Sequence, residues 1–155
     1  MKLNLSPEEY GKKARAHFEE GYNCAQAVLL AFDDITGIDN KVAAMLSSSF
    51  GGGMGRLREV CGAVSGMFMV AGTLCGYYDP KAKEEKADHY ELIQKLAADF
   101  TKENGSFLCK ELLGLPGASE PVPEERTAQY YKRRPCADYV ESAAALVAKE
   151  LTNQN

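Results

Sequence analysis

From Val60 through Tyr78 the chain carries no charged residue, and cysteines stand near both ends of that stretch, at Cys61 and Cys75. An uncharged run of about 18 residues or more is long enough to cross a bilayer. Its composition points elsewhere. Gly62, Gly66, Gly72, Gly76, Ser65 and Thr73 make it small-sided, whereas inserted helices draw their energy from Leu, Ile, Phe and Val. A helix that is apolar on every side and not in lipid belongs at the centre of other helices. The segment Glu59 to Gly76 is therefore expected to be the buried central helix of a bundle, without membrane insertion. Gly62 and Gly66, like Gly72 and Gly76, are four apart. Each pair shares one helix face, and each is expected to admit a neighbouring backbone at close range.

The rest of the chain can cover such a helix. A length of 155 residues, 45% of them hydrophobic, suffices for one domain with one core, and residues 1–155 are read as a single all-α domain. The net charge of −4 with mixed signs gives no basic footprint for nucleic acid. The opening "MKLNLSPEEY" lacks the apolar stretch of a secretion signal, so a cytoplasmic chain with reduced thiols is expected.

Helix punctuation is plain along most of the sequence. Ser6, Pro7 and Glu9 are a start signal, Tyr10, Ala14 and Phe18 recur at helical spacing, and Gly21 is a left-handed stop. Asn23 caps a second helix running towards Gly37, and Asp39 a third that ends at Phe50 before the Gly51–Gly53 run. Asp79 before Pro80 opens a long charged helix with Tyr90, Ile93, Ala97 and Phe100 as its apolar stripe and Glu91 paired with Lys95. Asn104 and Gly105 close it. Ser106 caps a short helix to Leu113, a Gly/Pro-rich connection follows, and another helical piece spans about Glu124 to Lys132. Pro135 starts the last helix, with Cys136, Val140, Ala143 and Val147 in line. No strand pattern is present. The expectation is an all-α bundle of about six to seven helices around the glycine-rich centre.

Five cysteines, Cys24, Cys61, Cys75, Cys109 and Cys136, include no CxxC pair, so neither a zinc knuckle nor a thioredoxin-type motif is written locally. Cys61 and Cys75 on one continuous helix stand roughly 21 Å apart, beyond disulfide reach. The other four share a placement. Cys24 follows the Asn23 cap, Cys61 the glycine loop, Cys109 the Ser106 cap and Cys136 Pro135, so each falls in a first helical turn, where free amides and the helix dipole favour a thiolate. Each also continues an apolar stripe and can be a small core residue.

The stretches "GYNCAQAVLLAF", "GGGMGRLREVCGAVSG", "CKELLG" and "CADYVESAAALV" resemble the successive signatures of a family described as redox-active and named for its C_GCAxxG_C_C cysteine pattern. The resemblance covers nearly the whole chain. It implies that Cys24, Cys61, Cys109 and Cys136 are the four characteristic cysteines, with Cys75 additional. The order at the second motif is Cys61-Gly62-Ala63, CGAxxG in place of GCAxxG.

Three functions fit these residues. The first is thiol redox, in which Cys24, Cys61, Cys109 and Cys136 cycle between dithiol and disulfide or pass electrons to a redox partner protein. The second uses the same four sulfurs as ligands for zinc or an iron–sulfur cluster. The third is a helical interaction module with inert buried thiols. A cofactor-free protein and a homo-oligomer both remain open. "FGGGMGR" has the glycines of an anion cradle but no following Lys-Ser/Thr and no preceding strand, so a linker is the plainer reading. Arg56 and Arg58 can serve the linker, an anion site or a Cys61 thiolate, and Arg133 and Arg134 read first as a solvated basic loop, with support of a Cys136 thiolate as the alternative. His17 and His89 read as packing or surface residues.

Overall fold

The computed structural model describes residues 3–154. Ser6 accepts from the Glu9 amide and Pro7 opens α1 (Pro7–Glu20), which Gly21 ends at φ 117°. Asn23 and Gln26 form a reciprocal capping box on α2 (Cys24–Ala31). The second helix does not run unbroken to Gly37. Phe32 interrupts it, its ring stacked on Tyr10 at 4.4 Å, and a short α3 (Asp33–Thr36) follows. Asp39 caps α4 (Asn40–Ser47), and a 3-10 turn over Ser48–Phe50 leads into the glycine run.

That run is more than a linker. The turn α5 (Gly51–Met54) enters a left-handed coil: Gly52, Gly53, Met54, Gly55 and Arg56 all have positive φ, as does Arg58. Left-handed backbone costs a residue with a Cβ about 1–2 kcal/mol, so Met54, Arg56 and Arg58 must be held there by other contacts. They are. The Ser119 amide donates to the Arg56 carbonyl at 2.9 Å and the Lys110 amide to the Arg58 carbonyl at 3.1 Å, which stitches the coil to the segment following the long helix. Gly53 admits no side chain, because a Cβ there would lie 2.7 Å from the Cys109 Cβ and 2.8 Å from the Arg58 Cα.

The uncharged segment forms α6 (Gly62–Cys75), with Cys61 as its cap, so the helix starts later than Glu59. The delay has a cause: Val60 pairs with Leu108 in an isolated antiparallel bridge that keeps residues 59–61 extended. Ala63, Val64, Met67, Val70 and Ala71 are fully buried among α2, α10 and α7. Gly62 and Gly66 pack closely on α2, as expected. Gly72 and Gly76 do not: a Cβ on Gly72 would meet nothing within 4 Å, and one on Gly76 would meet only its own helix backbone.

The long helix α7 (Lys83–Asn104) begins after Ala82, because the Asp79 side chain closes a local turn onto the Lys81 amide instead of capping. Its buried residues are Leu92, Leu96 and Phe100. Tyr90 is half exposed, its hydroxyl 3.1 Å from that of Tyr77. Lys95 pairs with Glu150 at 2.7 Å and Asp99 at 3.0 Å and not with Glu91. Glu150 is buried, where leaving its charge unpaired would be costly. Then come α8 (Cys109–Leu113), α9 (Ala128–Arg133) capped by Thr127 and α10 (Cys136–Asn153). Helix α10 lies along α1, tied by Arg15 to Glu141 at 2.6 Å and to Asp138. The fold is all-α, and no described helix is long and apolar enough to cross a membrane.

Candidate functional site

Four helix beginnings meet at one end of the bundle. Cys24 is the first residue of α2, Cys109 of α8 and Cys136 of α10, while Cys61 caps α6. All four line one cavity of about 270 Å³. Cys75 is separate, at the opposite end of α6 and exposed. The fourteen residues of α6 hold it roughly 20 Å from Cys61. All five cysteines are free thiols.

Each sulfur has its own local support. The bridge between Val60 and Leu108 is flanked by a Cys61 amide bond to the Phe107 carbonyl at 2.9 Å and a Cys109 amide bond to the Glu59 carbonyl at 2.6 Å, which fixes Cys61 and Cys109 as a unit. Ser106 still organises the start of α8, accepting from the Leu108 amide at 3.0 Å and donating to Glu111 at 2.5 Å. The bridge, however, delays the helix to Cys109. Cys24 is placed by the capping box of α2 and lies against Gly62, where a Cβ would approach the Cys24 Cβ to 3.0 Å.

The thiols differ in acidity. Cys136 is held below its ordinary value, first by a hydrogen bond from Cys24 and then by the positive charges of Arg134, Arg58 and Arg126, which outweigh its burial. Cys24 is pushed well up, by donating that bond and by burial. Of the pair, Cys136 is the more acidic, because the positive charges of Arg134, Arg58 and Arg126 act on it. Cys109 is raised by burial, although Arg58 Nη1, 3.6 Å from its sulfur, pulls the other way.

Cys61 departs from the expected thiolate. Burial pushes it up to about 12, against the opposing pull of the Ala63 and Val64 amides. Arg56 and Arg58 are engaged elsewhere: Arg56 donates to the Glu120 carbonyl, and Arg58 to Ser119 Oγ at 2.9 Å and to Cys109. The unfolded chain releases the Cys61 proton near the ordinary value of 9.0, while the folded chain keeps it to about 12. Stability is therefore expected to fall as pH rises above about 9. Denaturant midpoints of Cys61→Ala followed into the alkaline range should decline less steeply than those of the parent, and identical slopes would contradict this.

Of the two basic residues before Cys136, only Arg134 faces the cavity, paired with Glu124 at 2.7 Å. Arg133 is largely exposed and reaches Glu124 at 3.4 Å. The sequence reading overlooked Arg126. Its guanidinium stacks 4.1 Å from the Phe18 ring centroid and donates to the carbonyls of Phe18 and Tyr22. Its remoteness from Cys136 in sequence hides the relation, and only the gathering of Arg126, Arg133 and Arg134 ahead of one cysteine hints at it.

Among the described residues, no group of three or more Cys, His, Asp or Glu is arranged to hold a metal ion. The arrangement offers one thiol of lowered pKa beside one of raised pKa, two further thiols of raised pKa and a positively charged wall. No curated protein and no solved structure shows a significant match to the chain. The family described as "Putative redox-active protein (C_GCAxxG_C_C)" matches residues 22–150, and with most of its length covered, including all four cavity cysteines, the chain belongs to that family.

Proposed function

We propose that the chain is a thiol–disulfide redox protein in which Cys136 is the attacking thiolate and Cys24 the resolving thiol. The observation that supports this most is the placement of Cys24 and Cys136 at the starts of α2 and α10 on one cavity, with Cys24 and three arginines lowering the pKa of Cys136. Exchange needs one sulfur ionised near neutral pH and a second within reach of it.

The reaction balances as a two-electron transfer to a disulfide, RSSR. The Cys136 thiolate attacks one sulfur, forming a Cys136–SR bond and expelling RS⁻. Cys24 then attacks Cys136 Sγ, forming the Cys24–Cys136 disulfide and expelling the second RS⁻, while the Cys24 proton passes to a released thiolate. The protein's thiol–thiolate pair is oxidised to a disulfide and RSSR is reduced to one thiol and one thiolate. The reverse sequence re-forms the dithiol. Cys61 and Cys109 are neutral reserve thiols, able to receive the disulfide by a further exchange in which one of them, once deprotonated, displaces Cys24 from Cys136.

Peptide mapping of the reduced protein after brief exposure to a small disulfide tests the pairing. A Cys24–Cys136 linkage is expected to appear first. A first linkage of Cys61 to Cys109, or one between chains through Cys75, would contradict the assignment.

A further inference from the structure

The cavity's cations are all of one kind. The chain's arginines are Arg15, Arg56, Arg58, Arg126, Arg133 and Arg134; of these, Arg56, Arg58, Arg126 and Arg134 line the cavity, and no lysine does. Against them stands one carboxylate, Glu124. The cavity is thus positive in a chain whose net charge is −4, and the Cys136 thiolate offsets only part of the excess.

The excess is built in rather than incidental. Arg58 is 4% exposed, and its side-chain partners are Ser119 Oγ and the Cys109 sulfur. Arg126 is satisfied by two backbone carbonyls and Arg56 by one. Among the described residues none of these three forms an ion pair. Withdrawing Arg58 from water without a carboxylate partner is costly, and a cavity that gathers it with the half-buried Arg56 and Arg126 gains most when an anion enters. Guanidinium groups, planar and forked, suit carboxylate and other oxyanions better than ammonium groups do. Size narrows the choice further. A cavity of about 270 Å³ falls just below the roughly 300–1,000 Å³ of drug-sized ligand sites, and its walls include Phe18, Leu112, Leu113 and Pro121. It accepts a small molecule with a short carbon stem and anionic ends.

We propose that the cavity is the binding site for a low-molecular-weight anionic disulfide, its oxyanion groups held by Arg56, Arg126 and Arg134 while one of its sulfurs faces Cys136. This rests on the thiol–disulfide reading above and follows the same two-electron exchange.

Two small disulfides test it: the dianion dithiodiglycolate and the neutral 2-hydroxyethyl disulfide. The ratio of their exchange rates with the reduced protein, compared with the same ratio for a free small thiol, cancels the nucleophilicity of Cys136 and leaves recognition of charge. The protein is expected to favour the dianion by about tenfold over the free thiol, to lose most of that preference in Arg126→Met and to keep part of it in Arg126→Lys. In parallel, Cys136→Ser titrated calorimetrically with dithiodiglycolate should show saturable binding that Arg126→Met, introduced into the same variant, weakens. Exchange at the free-thiol ratio with no calorimetric binding overturns the anion site and leaves the redox reading standing. Arginine-dependent binding to Cys136→Ser, with no exchange by the parent protein, overturns the redox reading and supports the anion site.

Discussion

Replacing Cys136 by serine is expected to slow reaction with a small disulfide at pH 7 by about 100-fold or more, while Cys24→Ser stops the reaction after its first step. The magnitude follows from ionisation. A free thiol with a pKa of about 8.5 is a few per cent thiolate at pH 7, and Cys24, Cys61 and Cys109 are all pushed above their ordinary value, so none replaces Cys136 efficiently. In Cys24→Ser the attacking sulfur remains but loses the resolving thiol. The mixed Cys136–SR disulfide should then accumulate towards one equivalent per chain, visible by intact mass, because Cys61 and Cys109, both raised in pKa, displace it only slowly. The serine hydroxyl can still donate to Cys136, so the first step persists. Cys75→Ser, altered about 20 Å away along α6, serves as the control and should leave both steps intact. An unimpaired rate in Cys136→Ser would remove the assigned nucleophile.

The largest effect on stability is expected at Gly66. A Cβ there would lie 2.8 Å from the Ala25 carbonyl oxygen and 2.9 Å from the Val28 Cβ, so α6 and α2 are packed backbone to backbone. Gly66→Leu must push the two helices apart. Overpacking a core costs about 1–3 kcal/mol and sometimes more, and here the opposing atoms include backbone that cannot swing aside, which sets the expectation at about 3 kcal/mol or above. Because α2 carries Cys24, the same displacement should slow formation of the Cys24–Cys136 disulfide. Gly72→Ala is the counterpart. No atom lies within 4 Å of its added Cβ, and exchanging glycine for alanine inside a helix gains about 0.5–1 kcal/mol. Denaturant midpoints should move in opposite directions for the two variants, and equal midpoints would argue against the close approach.

How far the sequence reveals this arrangement depends on the range of the forces involved. Caps and stops are local, and the Ser6, Asn23 and Asp39 caps, together with the Gly21 and Gly105 ends, form where the side chains announce them. The placement of Cys24, Cys61, Cys109 and Cys136 at helix starts follows from those signals. Their meeting in one cavity does not. It depends on the Val60–Leu108 bridge and on the left-handed coil from Gly52 to Arg56, tertiary features without a periodic signature, and the same bridge delays α6 and α8. Side-chain direction is equally hidden. Arg56 and Arg58 precede Cys61 in sequence, yet Arg58 reaches Cys109, while Arg126 arrives from a Gly/Pro-rich connection whose spacing carries no signal. Burial explains why Cys61 is a neutral thiol despite its helix start: desolvation outweighs the amides. The identical spacing of Gly62–Gly66 and Gly72–Gly76 conceals a difference set by what faces each pair, α2 for the first and no neighbouring element for the second.

The most direct test of the central claim is the pH profile of alkylation at each cysteine of the reduced protein, read by peptide mass spectrometry over a range from about pH 5 to pH 10. Burial scales a rate, whereas stabilisation of the thiolate shifts the midpoint, so the profile separates the two. Cys136 is expected to have a midpoint below the ordinary thiol value, moving upward in Cys24→Ala and in Arg134→Met, while Cys24, Cys61 and Cys109 titrate above it. A normal or raised midpoint at Cys136, or a lowered one found only at Cys75, would contradict the account.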